Sequence, residues 1–300
     1  KIIECPRDAM QGIKSFIPTA RKVAYIQSLL RVGFDTIDFG SFVSPKAIPQ
    51  MRDTAMVLDK LEQVSSTKLL AIIANERGAE DALCFPEIAC LGFPFSISEI
   101  FQQRNANSSI EESILRLEKI QSKVTAKKKD LIVYLSMGFG NPYGEVWNTD
   151  LVVSWSRKLV EDLGIHTLAL SDTIGCAKSE DVSALFNVLS NEFPSVEIGA
   201  HFHTRPETSS KLISAAYTAG CRRFDTAIRG FGGCPMAKDD LTGNLPTEDL
   251  VKWLNDSRIN HPIQTANFNT AFDFSSRIFS ACFLAAFSLK RARCNMSILS

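Results

Sequence analysis

The sequence predicts an α/β fold, a (β/α)8 TIM barrel of parallel strands. Three observations carry that reading. Short apolar runs alternate with stretches of helical spacing along the chain, and eight such units follow one another with no linker between them. The Gly-rich turn after the eighth strand, Gly230-Phe231-Gly232-Gly233, does not make the GxGxxG fingerprint of an open doubly wound sheet, the other fold that such alternation allows.

In order, residues 2–5 make a short first strand. Pro18 opens a helix whose apolar residues Val23, Ile26, Leu29 and Leu30 recur at helical spacing, and Gly33 ends it. A second strand spans 34–39, with a helix near 51–63 after it. The third strand is 68–74 and the fourth 86–91. Ser109-Ile110-Glu111-Glu112 is a capped start to a long helix ending near Lys127. Strands at 131–136, 166–170, 196–203 and 223–228 follow, separated by helices around 146–163, 180–191 and 208–219, and the last helix begins at 247–254. Residues 1–255 are thus expected to form the barrel domain and 256–300 a partly irregular C-terminal extension.

Three hundred residues can make one large domain or two small ones. Hydrophobic residues make 45%, charged residues 22%, and the net charge is +0, which fits a soluble globular protein and argues against nucleic acid or membrane as partner. Cysteines stand at 5, 84, 90, 176, 221, 234, 282 and 294 with no CxxC pair, so reduced thiols in an intracellular protein are expected. The longest apolar run, near 278–289, falls short of the roughly 20 residues that span a bilayer.

Barrel enzymes carry their chemistry at the C-terminal strand ends. Strand one ends in Pro6-Arg7-Asp8, with Gln11 beyond. Strand two contains Asp38 and runs into Ser41-Phe42-Val43-Ser44-Pro45-Lys46. Strand five leads to Ser136, strand six to Asp172-Thr173, strand seven to His201 and His203, and strand eight to Cys234 and Asn244. Alternate residues of a strand share a face, so the two histidines point the same way and are poised to hold one metal ion. Closure sets strand eight beside strand one, and Asp8, His201, His203 and Asn244 then converge. Taken singly, each has a plainer reading: Asp8 a helix cap, Asn244 a turn residue, Asp38 a partner for a lysine, the histidines a polar patch. Together they make a nitrogen-and-oxygen donor set without thiolate, which suits a catalytic Mg2+, Mn2+ or Zn2+ better than a structural zinc. Such a centre would supply Lewis-acid chemistry to a substrate carbonyl. Arg7, beside Asp8, adds a permanent cation suited to a developing enolate.

Pro6-Arg7-Asp8-Ala9-Met10-Gln11, Ser41-Phe42-Val43-Ser44-Pro45-Lys46, Ser171-Asp172-Thr173-Ile174-Gly175, His201-Phe202-His203, Gly232-Gly233-Cys234-Pro235 and Gly243-Asn244-Leu245-Pro246-Thr247-Glu248-Asp249 closely resemble the motifs of the 3-hydroxy-3-methylglutaryl-CoA lyase family, in that family's order. The Arg-Asp pair and HxH are shared with a wider superfamily of barrel metallolyases that includes isopropylmalate and homocitrate synthases. The SFVSPK stretch and the GGCP loop are narrower to the lyase branch. The resemblance implies retro-Claisen cleavage of 3-hydroxy-3-methylglutaryl-CoA to acetyl-CoA and acetoacetate. The alternative is an acyl-CoA-dependent condensing synthase of the same superfamily.

Carried over by motif, Asp8, His201, His203 and Asn244 bind the divalent cation, Mg2+ or Mn2+ with Zn2+ also admissible. Arg7 polarises the thioester carbonyl, Cys234 is the general acid–base, and Asp38 and His201 are also expected to be catalytic. Arg7, Gln11, Ser136, Asp172 and Thr173 face the substrate. The expected assembly is a homodimer, cytoplasmic or in the mitochondrial matrix of a eukaryote, any targeting segment lying upstream of Lys1. Four departures stand out. Asp38 occupies a position where the family usually has Glu, and Thr204 one where it commonly has Asp. The stretch between Cys234 and Asn244 is one residue longer and carries Lys238-Asp239-Asp240, and the tail after about residue 255, with its Arg291-Ala292-Arg293-Cys294, does not clearly match.

Overall fold

The computed structural model describes residues 1–62, 66–233 and 242–279. Cys234, the Lys238-Asp239-Asp240 charges and the tail beyond 279 lie outside the described residues.

The chain begins with β1 (Ile2–Glu4), the short helix α1 (Pro6–Gln11) and α2 (Thr19–Leu29). Then come β2 (Thr36–Ser41), α3 (Thr54–Leu58), β3 (Lys68–Ile72), α4 (Glu76–Leu83), β4 (Ile88–Ser96), α5 (Glu99–Ala106) and α6 (Ile110–Ala126). The second half runs β5 (Asp130–Ser136), α7 (Thr149–Arg157), β6 (Thr167–Asp172), α8 (Ser179–Glu192), β7 (Glu197–Thr204), α9 (Ser209–Thr218) and β8 (Phe224–Thr226). It ends with β9 (Gly243–Asn244), α10 (Thr247–Asp256) and α11 (Thr265–Ile278). β1 to β8 are parallel, each paired with its sequence neighbours. β8 pairs β1 through Asp225 and Ile3, which closes the barrel. β9 lies antiparallel on β7, with Asn244 opposite His203.

Local chemistry explains where the elements depart from expectation. Pro6, Arg7 and Asp8 are helical: Pro6 occupies the first turn of α1, where its missing N–H is no loss. α4 lacks a strong apolar stripe because its buried face is Gly78, Ala79 and Ala82, yet it is capped by the Asn75 side chain accepting from the Gly78 N–H. β4 continues through Pro94, a residue that reads as a strand breaker. The cap before α6 is as expected, with Ser109 and Glu112 forming a reciprocal capping box. α11 packs on α2, where Tyr25 stacks on Phe274 and meets Phe279 edge-on.

The apolar core is mainly the layer between sheet and helices, with residues such as Phe93, Phe95, Leu117, Phe186 and Phe202. Inside the barrel, the β3–β6 side is lined by Leu70, Ile72, Cys90, Ile132, Tyr134 and Ala169. The opposite side, from β7 through β8 and β1 to β2, carries buried His201, Asp225 and Asp38. The barrel interior is thus half apolar and half charged, and the charged half faces the site.

Glu4 is fully buried at the end of β1. One carboxyl oxygen accepts from the Ile228 N–H at 2.8 Å and the other lies 2.6 Å from the Thr247 hydroxyl, tying β1 to the loop after β8 and to the start of α10. Burial lifts its pKa from 4.5 to about 8, and those two hydrogen bonds offset only part of the rise. Between these values the folded chain holds a proton that the unfolded chain has released. The stabilisation is therefore fully present below pH 4.5 and is lost as pH rises through 8. Glu4→Gln should remove this dependence. The stability difference between wild type and variant, read from thermal melts, should change by on the order of 1 kcal/mol per pH unit between the two pKa values, 4.5 and about 8, and level off above them. Parallel profiles would show that Glu4 does not titrate in this way.

Candidate active site

Arg7, Asp8 and Gln11 meet because α1 is a helix: positions i, i+1 and i+4 project toward the C-terminal mouth of the barrel. The Arg7 guanidinium donates through NH1 to Asp8 (3.0 Å) and to the Gln11 Oε1 (2.9 Å), and the Gln11 amide donates to Asp8 (2.7 Å). On its other edge Arg7 donates from Nε (3.0 and 3.2 Å) and NH2 (2.5 Å) to Asp38 of β2. Burial alone would weaken the charge on Arg7, but Asp38 and Asp8 outweigh it and hold its pKa above the ordinary value. Burial, offset only in part by Arg7, lifts Asp38 to about 6, so it is ionised at neutral pH. A planar fork held on both edges has little freedom left.

Asp8, His201 and His203 bring one donor atom each to within 4.8 Å of one another, all buried. Two residues apart on β7, the imidazoles face the same side with ring centroids 5.5 Å apart. His203 Nδ1 lies 2.8 Å from the Thr173 carbonyl, which fixes that edge as a donor and leaves Nε2 as the lone pair. Burial and the neighbouring His201 push the His203 pKa down to about 4, so that ring is neutral at pH 7. Burial also disfavours charge on His201, but Asp225 and Asp8 outweigh it and raise its pKa. Asp8, despite burial, is kept below the usual carboxylate range by Arg7 and the two histidines. An ionised carboxylate and two imidazoles, that of His203 oriented by the Thr173 carbonyl, suit a divalent cation.

Asn244 stands beside this set. Its amide nitrogen donates to Asp8 at 2.6 Å and to the Phe231 carbonyl at 2.8 Å. Gly232 makes that approach possible: at φ +93°, an added Cβ would lie 2.6 Å from the Asn244 amide and 2.8 Å from the Asp8 carbonyl.

A cavity of about 330 Å³ opens over these groups. Arg7, Asp8, Gln11, Ser136, Thr173, His201 and His203 line its polar side, and Val43, Ile48, Ile72, Phe93 and Phe101 its apolar side. Most of the residues expected from sequence therefore meet in one place. Asp38 is fully buried behind Arg7. Asp172 is also set back: its two carboxyl oxygens accept the backbone N–H groups of Cys176 and Ala177, both at 2.9 Å, and so shape the loop after β6. Burial lifts its pKa to about 6. Two residues near the site escaped the sequence reading. Tyr134 of β5 meets the His201 ring edge-on at 5.4 Å, and Asp225 of β8 lies 3.4 Å from its Nδ1. The signal for Asp225 was present: Arg223-Phe224-Asp225 alternates charged and apolar residues, which in a barrel strand sends the charges inward.

The HMGL-like family model matches residues 2–274. The chain belongs to the HMGL-like family. It is 32% identical over 277 residues to the mitochondrial hydroxymethylglutaryl-CoA lyase of Mus musculus, covering 91% of this chain and 84% of that protein. It is 33% identical over 253 residues to the 3-hydroxy-3-isohexenylglutaryl-CoA/hydroxy-methylglutaryl-CoA lyase of Pseudomonas aeruginosa, with 83% and 82% coverage. The crystal structure of an HMG-CoA lyase from Acinetobacter baumannii in complex with coenzyme A and 3-methylmalate superposes with a TM-score of 0.85 at 29% identity, covering 93% of this chain and 90% of that one. The family match reaches into α11, which packs against the barrel. Among the described residues, no helix is long and apolar enough to cross a membrane.

Proposed function

We propose that this protein is a divalent-cation-dependent lyase that cleaves 3-hydroxy-3-methylglutaryl-CoA to acetyl-CoA and acetoacetate. The observation that carries the reading is the seating of a doubly held Arg7 against the Asp8–His201–His203 donor set at the floor of one cavity. The lyase names of its relatives support it.

Asp8, His201 and His203 would hold the cation, with Asn244 beside them, and this mixed nitrogen-and-oxygen set admits Mg2+, Mn2+ or Zn2+. When bound, it supplies Lewis-acid stabilisation of substrate oxygens. The C3 hydroxyl gives up its proton, the C2–C3 bond breaks, and C3 becomes the ketone carbon of acetoacetate. The bonding pair passes to C2 and the thioester oxygen as an enolate, which takes a proton to give acetyl-CoA. Arg7 meets the charge that develops on that oxygen, and Asp38, Asp8 and Gln11 fix its plane beforehand. Asp38 is thus a positioning residue acting through Arg7. Thr173 orients His203 through its carbonyl, and Ser136 and Gln11 are polar contacts available to the acyl group. The apolar wall suits the carbon substituent on C3 and the pantetheine arm. We assign proton delivery to the enolate to Cys234.

The test is product analysis on purified protein. With 3-hydroxy-3-methylglutaryl-CoA and Mn2+, acetoacetate and acetyl-CoA should form in equal amounts, and Cys234→Ser should turn over roughly 100-fold more slowly, the worth of a positioned acid–base. Absence of cleavage, together with condensation of acetyl-CoA onto a 2-oxo acid, would assign the protein to the synthase branch instead. A Cys234→Ser variant at the wild-type rate would remove the thiol from the chemistry.

A further inference from the structure

We infer that Asp225, backed by Arg223, is the positioning carboxylate for His201, fixing the ring edge opposite the one that faces the cavity. The inference rests on His201 being a cation ligand.

Arg223 and Asp225, two residues apart, are only 4% and 2% exposed, and the strand alternation puts both on the inner face of the barrel while Phe224 goes outward. The parallel register sets Asp225 directly beside His201 of β7, which brings its Oδ2 to 3.4 Å from the imidazole Nδ1. The other oxygen faces Arg223 NH2, also at 3.4 Å. β7 makes room for that arginine: at Gly199 an added Cβ would lie 2.6 Å from the Arg223 Cδ.

A buried ion pair is poor value for stability, because desolvation offsets much of its attraction. The β3–β6 half of the same interior is filled by Leu70, Ile72 and Ile132 instead. The charged pair therefore calls for a reason beyond packing, and the group it touches is His201. His203 supplies the comparison. Its Nδ1 edge is anchored on the Thr173 carbonyl at 2.8 Å, which frees the opposite nitrogen. Asp225 stands in the same relation to His201, with a full negative charge that also makes the imidazole a stronger donor. At 3.4 Å the contact is long for a hydrogen bond, and His201 Nδ1, both Asp225 oxygens, two Arg223 nitrogens and the Tyr134 hydroxyl have no close partner. Tyr134, edge-on to the His201 ring, limits how that ring can turn. A small tilt brings Nδ1 onto the carboxylate.

Cys5, His201 and Asp225 also bring ligand atoms within 4.8 Å of one another, so a second cation below the ring is the competing reading. It would make one imidazole bridge two cations and place the lower one against the Arg223 guanidinium, which already faces Asp225. Charge repulsion favours the positioning role.

The experiment is calorimetric titration of metal-stripped protein with Mn2+, for wild type, Asp225→Ala, Asp225→Asn and His201→Ala, with melting temperatures taken without metal. Asp225→Ala should bind Mn2+ about 10- to 100-fold more weakly, as loss of such a partner does elsewhere. Asp225→Asn, which keeps an acceptor oxygen and the shape, should lose less, and each chain that binds should take one Mn2+. A merely structural role would lower the metal-free melting temperature and leave the Mn2+ Kd of the folded protein unmoved. An Asp225→Ala affinity within about twofold of wild type, with His201→Ala defective, overturns the positioning role alone. Wild-type affinity in His201→Ala overturns the ligand assignment beneath it as well. Two Mn2+ per wild-type chain falling to one in Asp225→Ala overturns it in favour of a second cation site.

Discussion

Arg7→Met is expected to lower kcat by about 100- to 1000-fold with little change in KM, the signature of a donor that acts on charge present only in the transition state. The reason lies in how Arg7 is held. Asp38 grips Nε and NH2, while Asp8 and Gln11 take NH1, so the guanidinium needs no reorganisation when negative charge develops in front of it. Methionine matches the length of the stem and supplies none of this. It also leaves Asp38 fully buried without its counter-charge, so the variant should melt earlier, since breaking a buried pair typically costs about 3–5 kcal/mol. Arg7→Lys separates the two effects. A lysine keeps the charge beside Asp38 and should recover much of the stability, but its point charge cannot reproduce the two-edged fork, so kcat should stay well below wild type. Steady-state kinetics on folded variants, with circular dichroism as the check on fold, decides this. A rise in KM at unchanged kcat would mean that Arg7 only binds.

The second large effect is expected at His201. His201→Ala removes one of three converging donors and should weaken Mn2+ binding by more than about 100-fold, beyond the loss seen for outer partners. Metal-dependent turnover should vanish with it, while the melting temperature without metal changes little, because the ring lies in the polar half of the barrel interior rather than in its apolar packing. Metal content after gel filtration and turnover at saturating Mn2+ are the readouts. Full metal content with lost turnover would move His201 from ligand to chemistry.

The residues legible in the sequence were those whose position follows from strand ends alone. Closure of the barrel makes β8 and β1 neighbours, and that single fact brings Asp8 to His201 and His203. The HxH spacing needs only the alternation of a strand. Harder to read was anything that depends on where a side chain turns after its backbone is placed. Asp172 stands at a strand end like the others, yet its carboxylate folds back onto the N–H groups of Cys176 and Ala177. Gln11 was readable as polar and near, but its link to both Arg7 and Asp8 requires that residues 6–11 be helical, and six residues are too few for a periodicity to show. Asp38 was legible as a charged residue inside a strand, and its partner is Arg7 rather than a lysine. Tyr134 lay hidden because it reads as an ordinary strand residue, and the charge alternation around Asp225 marks it as inward-facing without showing that it meets His201 until the register is known. α11, beyond the last recognisable motif, was expected to be partly irregular, and its amphipathic face becomes evident only where Tyr25 meets Phe274 and Phe279.

If Asp8, His201 and His203 hold one divalent cation beside Arg7, cleavage of 3-hydroxy-3-methylglutaryl-CoA should depend on one bound ion per chain. A stoichiometric titration measures this dependence. Metal-stripped protein at a concentration well above the Mn2+ Kd receives Mn2+ in steps, and the initial rate of acetoacetate formation is followed at each. Almost no product should form before the first addition, followed by a linear rise with added Mn2+ and a plateau at one equivalent per chain. Full acetoacetate production by the stripped protein, or a rate that ignores added Mn2+ while the ion binds, would contradict it.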